Sequence, residues 1–145
     1  MHRSTMAVSF LLTAVLTASN TGNTVLASGD QQEYKCPGSI KDLLLKEPLH
    51  GVQDEQVTVS RVTFPPGWKG AQHYHTGPVY VYVLSGPFVV REKGKKPRTI
   101  KAGSLYREPI GNPMEAHNAS ATRATRALIV QIGRRGQPLM NKTRF

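Results

Sequence analysis

A single cysteine, Cys36, stands among the 145 residues, so no intrachain disulfide can brace the chain. Glu33-Tyr34-Lys35 ahead of it are not the small apolar residues that precede a lipid-modified cysteine, which argues against a lipoprotein anchor. The thiol reads as free and without a role, an intermolecular bridge being the lesser alternative. Long apolar runs are lacking too. Met6 to Ala18 is free of charge for 13 residues, short of the roughly 20 that a membrane-spanning helix needs. Acidic side chains are scarce, with nine Asp plus Glu against 19 Lys plus Arg, a formal net charge of +10. No recognition helix, zinc-finger spacing or aromatic RNA motif accompanies that excess, so nucleic acid is not an expected partner. No Ser-His-Asp or Cys-His arrangement can be assembled. A phosphate-cradling glycine loop, an internal repeat and a low-complexity segment are also missing.

What is present begins with a leader. Arg3 supplies the positive start, the Met6–Ala18 run the apolar centre, and Val25-Leu26-Ala27 the small-residue cleavage signal. Residues 1–27 are expected to be a signal peptide, cleaved near Ala27, with secretion to a periplasm or the exterior. An uncleaved N-terminal anchor is the alternative, and no stable membrane anchor is expected. Residues 28–42 read as an irregular N-terminal segment, 43–139 as one domain and 140–145 as a basic tail. The chain from Gly133 onward reads as loose. Loss of Arg3 leaves 18 basic against nine acidic side chains, a balance that favours anionic surfaces or ligands. The densest basic stretch, Arg91 to Lys96, falls where a solvated hairpin turn is expected.

Thirteen Gly and ten Pro punctuate short β-rich pieces, which points to an all-β barrel or sandwich. Gln56 to Phe64 ends at Pro65-Pro66-Gly67, and Val79 to Leu84 ends at Ser85-Gly86-Pro87. Phe88 to Glu92 and Pro97 to Lys101 form a hairpin, and Ser104 to Glu108, Glu115 to Ser120 and Ala127 to Ile132 follow. Ile40 to Leu45 is a helical turn or a short strand, since consecutive leucines do not distinguish them. On Val79 to Leu84 the valines share one face, and Tyr80, Tyr82 and Leu84 share the other. Both faces are largely apolar. A barrel interior covers one, and a partner subunit or an N-terminal segment the other, so a homodimer is expected.

His73 and His75 stand two apart on an extended stretch, so their imidazoles project to one face and can reach one ion. Here the sequence resembles the cupin superfamily, in particular its small single-domain members. The first cupin motif runs Gly, five residues, His-x-His, three or four residues, Glu, six residues, Gly. Gly67, His73, His75 and Gly86 fall in that register, with YVLSG resembling the usual strand ending. The second runs Gly, five residues, Pro-x-Gly, two residues, His, three residues, Asn, and Gly103, Pro109, Gly111 and Asn118 match it without a gap. The resemblance covers about Leu43 to Leu139. It implies a jelly-roll β-barrel of six to eight antiparallel strands holding a divalent transition metal (Fe, Ni, Cu, Zn or Mn).

Two positions depart from the pattern. Val79 stands where the family has its glutamate, and Met114 where it has the second-motif histidine. His117, three residues on, is the candidate replacement, although alternation turns it outward if Met114 points inward, unless Asn112-Pro113 breaks the parity. The metal ligands so implied are His73, His75 and His117. With two histidines alone, Glu108, Glu115, Gln72 or a ligand oxygen would have to complete the site. Tyr74, Val79, Val81 and Met114 are the expected pocket lining. Asn118-Ala119-Ser120 and Asn141-Lys142-Thr143 are formal glycosylation sequons, the first better explained by the cupin motif.

Two functions follow from the resemblance. One is an exported metal-dependent cupin of dioxygenase or isomerase type, acting on or binding a small oxygenated molecule. The other is a metal-free, non-catalytic module that binds a small, anionic ligand.

Overall fold

A computed structural model of the protein describes residues 36–144. The leader and its cleavage signal near Ala27 lie outside the described residues. Ten strands follow one another: β1 (Ile40–Pro48), β2 (Glu55–Phe64), β3 (His73–Tyr74), β4 (Val79–Ser85), β5 (Phe88–Glu92), β6 (Arg98–Ile100), β7 (Leu105–Glu108), β8 (Met114–Asn118), β9 (Thr125–Arg134) and β10 (Asn141–Lys142). They form two antiparallel five-stranded sheets, β1-β2-β9-β4-β7 and β10-β3-β8-β5-β6. Without the outermost β1 and β10 each sheet keeps four strands, which is the jelly roll the motifs imply. No helix among the described residues is long and apolar enough to cross a membrane.

The period-two pattern of the sequence becomes the two faces of each sheet. On β2, Gln56, Thr58, Ser60, Val62 and Phe64 point inward and are buried, while the residues between them are not. Val79, Val81 and Val83 on β4 are buried, whereas Tyr82 and Leu84 are exposed on the other face. At one end of the interior Phe64 packs on Trp68 with ring centroids 4.4 Å apart and on Phe88 at 5.4 Å. Asn118 ties that end together. Its side-chain amide donates to the carbonyls of Phe64, Pro65 and Arg123, and its Oδ1 accepts from the Ser120 N–H. The first sequon is thereby spent on structure. Gly86 closes β4 at φ +78°, where a Cβ would stand 2.7 Å from the Ala124 carbonyl oxygen, so the turn requires glycine.

One ambiguity of the sequence reading is resolved, and two stretches depart from it. The ambiguous leucine-rich piece is a nine-residue strand, β1, paired with β2 from Ile40↔Thr63 to Pro48↔Gln56. The irregular segment expected through residue 42 gives way to this strand at Ile40, because backbone pairing along β2 outweighs the missing alternation. The chain after Gly133 is not loose. β9 runs to Arg134, Met140 is buried, and β10 pairs with β3 through Asn141↔Tyr74 and Lys142↔His73.

Candidate metal centre

β3 is only two residues long, held between β10 and β8 by Lys142↔His73 and His73↔Met114. Its extension places His75 beside Ile110 in a single parallel bridge. The alternation anticipated for His-x-His therefore holds. His73 and His75 are both buried, with ring centroids 5.0 Å apart and planes at 83°. Tyr74, between them, turns to the opposite face and is half-buried.

Each imidazole is oriented by the backbone. The Nδ1–H of His73 donates to the Ala71 carbonyl at 2.8 Å, and that of His75 to the Leu139 carbonyl at 2.7 Å. With Nδ1 spent as a donor, Nε2 of each ring is the nitrogen left to bind. Glu108, the last residue of β7, joins them: its Oε2 lies 2.7 Å from His75 Nε2. His73, His75 and Glu108, all buried, offer ligand atoms within 4.8 Å of one another.

That geometry sets a charge requirement. His75 Nε2 and a carboxylate oxygen at 2.7 Å repel unless a proton or a metal cation sits between them. Burial pulls the His75 pKa down, but the hydrogen bond its ring donates to the Glu108 carboxylate, the negative charge of that group and the Leu139 carbonyl more than reverse this, so it lies above its ordinary value. For His73 burial dominates and the pKa falls, despite the Ala71 carbonyl and the Glu108 charge. Burial thus favours the neutral form of His73, while Glu108 favours a positive charge, proton or metal, at His75. Two imidazoles and one carboxylate converging on one point fit a divalent transition ion.

The trio lies on the wall of an interior cavity of about 280 Å³. Phe64, Trp68, Phe88, Ile129 and Met140 give it apolar surface, and Ser60 and Gln131 add polar groups. Cys36, Ser39 and Lys41 line it from the N-terminal side, where Trp68 Nε1 donates to the Pro37 carbonyl at 2.8 Å. Burial, reinforced by the Glu108 charge, pushes the Cys36 thiol up to about 11. The surface of this space is mostly carbon, with the histidines among its few polar groups.

Among the sequence-predicted residues, Val79 lines this cavity. Val81 and Met114 belong to the packed core and do not line it. Met114 is fully buried opposite His73, so the alternation of β8 sends Glu115 and His117 to the other face. There the turn at Asn112-Pro113 has not broken the parity, and His117 stands apart from the trio, half-buried across from Val89 and Lys69. Glu115 and Gln72 are held on the outer face as well. Gln72 Nε2 donates to Glu115 Oε2 at 3.3 Å, and Arg91 Nε donates to Glu115 Oε1 at 2.8 Å. Of the fallback carboxylates, Glu108 is the one the fold brings in. Its only sequence signal is its place directly before the motif proline, Pro109.

Residues 60–131 match the family model described as the cupin domain. A cupin-like protein from Thermotoga maritima is similar in structure, with a TM-score of 0.53 and 25% identity over 63% of this chain and 66% of that one. The polyketide cyclase of Streptomyces resistomycificus gives a TM-score of 0.59 with 16% identity, covering 79% of this chain and 77% of that one. A DMSP lyase from Ruegeria pomeroyi gives 0.52 with 21% identity over 66% of this chain, which spans only 47% of the lyase's length. No curated protein sequence matches.

Proposed function

The chain belongs to the cupin superfamily, and we propose that it is a metal-dependent member in which His73, His75 and Glu108 hold one divalent ion. The observation that carries this reading is the convergence of two backbone-oriented imidazoles and a buried carboxylate on one point. Neutral imidazole with carboxylate suits Fe, Mn, Zn, Ni or Cu and leaves coordination positions free. Such an ion supplies Lewis acidity or a redox centre to a substrate oxygen. The chain's own part is to fix the donors and keep out water. The Ala71 and Leu139 carbonyls hold the two rings in the binding tautomer, and Glu108 contributes negative charge. The Phe64, Trp68 and Phe88 rings exclude solvent from the reacting end. The substrate is a small molecule with an apolar body and an oxygen donor.

Elemental analysis of the purified protein tests this. Near-stoichiometric transition metal, lost in a His73→Ala, His75→Ala double variant, is the expected result. A protein that holds no metal and cannot be loaded with any of these ions would overturn it. The second reading, a metal-free binding module, draws on the His75–Glu108 contact, since a proton can take the place of the cation there.

Export after cleavage near Ala27 is part of the proposal, supported by the leader pattern of residues 1–27. So is a homodimer built on the outer face of the β1-β2-β9-β4-β7 sheet. Tyr82 and Leu105, paired across β4 and β7, are 41% and 64% exposed there, beside half-buried Leu128 and Val130 on β9. The basic balance of the chain supports an anionic ligand, for which the second cavity described next offers a place.

A further inference from the structure

A second cavity, about 300 Å³, opens between β1, β2 and the turn from β9 to β10. Its character differs from that of the first. Lys41 and Lys46 reach it from β1, Gln56 and Thr58 from the inward face of β2, and Gly136 to Leu139 close the remaining side. No carboxylate among the described residues lines it. Asp54, near the same turn, is paired with Arg135 at 3.0 Å.

Thr58 is 3% exposed, and its hydroxyl has no hydrogen-bond partner among the described residues. Folded proteins rarely leave a buried hydroxyl unmatched, because its desolvation goes uncompensated. Gln56 is buried on the same face. A buried donor without a partner, a buried amide and two ammonium groups on one cavity define a chemistry. It is complementary to an anionic oxygen group and hostile to a cation.

We propose that this cavity is an oxyanion site, taking the carboxylate or phosphate group of a small molecule. Lys41 and Lys46 balance the charge, and the Thr58 hydroxyl donates to one oxygen. The site is distinct from the metal centre yet mechanically joined to it. Leu139, on its wall, carries the carbonyl that orients His75, and Lys41 borders both cavities. Because its residues are not metal ligands, it stands or falls independently of the metal reading.

The test is a titration of the metal-stripped, ¹⁵N-labelled protein with inorganic phosphate and, separately, with succinate, followed by amide shifts. Saturable shifts at Lys46, Thr58 and Gln137 are expected, with the amides of Phe64 and Ala116 in the first cavity unmoved. Lys41→Gln and Lys46→Gln should each weaken binding about tenfold, the effect of losing one charge-assisted contact. Thr58→Val should also weaken it while raising Tm, since a methyl is easier to bury than an unpaired hydroxyl. A purely structural Thr58 would give the Tm gain with unchanged affinity. Saturation by phosphate alone assigns phosphate esters, by succinate alone carboxylates, and by both the shared oxyanion chemistry. Shifts that do not saturate, that scatter over surface lysines, or that persist unchanged in all three variants would overturn the proposal.

Discussion

Val79 and Glu108 face each other across the β4–β7 ladder. The family's motif-one carboxylate is missing from β4, but a carboxylate enters the same cavity from the paired position on the neighbouring strand. Both side chains point inward and both line the cavity that holds His73 and His75. In the proposed centre the carboxylate donor thus stands one strand over from the family's position, and the charge of the site is kept.

An exchange experiment follows from that register. Glu108→Val should weaken metal binding by more than the about ten- to hundredfold that losing a supporting partner costs. Adding Val79→Glu to the same chain should restore most of the affinity. Competition against a chromophoric chelator reads both steps. A double variant no better than the single one would show that positions 79 and 108 are not equivalent.

Stability of the metal-free protein should peak near pH 6.5, the ordinary histidine value about which His75 is raised and His73 lowered. The folded state binds the His75 proton more tightly, so this contribution is complete below pH 6.5 and is lost as pH climbs through the raised value. For His73 the folded state gives up its proton more readily. Its contribution is complete above pH 6.5 and is lost as pH falls toward the lowered value. Thermal melts across this range should show both flanks, and His75→Gln should flatten the alkaline one. Added Zn or Mn should reverse that flank, because the metal competes with the proton.

Much of the architecture was legible because this sequence punctuates itself. Gly67, Gly86, Gly103 and Gly111 all adopt positive φ at strand ends, and the valines of β4 mark the inward face. Val79 and Met114 were legible as departures from the motifs, but His117 was carried as the replacement ligand, and β8 keeps its alternation and turns it outward. What could not be read was register between strands distant in sequence. Glu108 is 33 residues from His75, and only the pairing of β7 with β4 brings it there. β1 hid behind three leucines that do not alternate, and they remain exposed, so burial left no pattern to read. β10 is two residues long, too short for any periodic signal.

The outer face of the β1-containing sheet carries a further expectation. Tyr82→Glu with Leu128→Glu should convert a dimer to a monomer in light scattering while leaving the circular dichroism of the fold intact. Both side chains lie on the solvent side of paired positions, so the substitution places charge in the interface and not in the core. A wild-type protein that is monomeric at all concentrations would remove the dimer from the account.

X-ray absorption of the zinc-loaded protein addresses the metal centre most directly, because imidazole rings give a distinctive outer-shell scattering pattern that can be counted. The account predicts two imidazoles and at least one carboxylate oxygen around the ion, falling to one imidazole in His73→Ala. A spectrum with three imidazoles, or with sulfur in the inner shell, would contradict it.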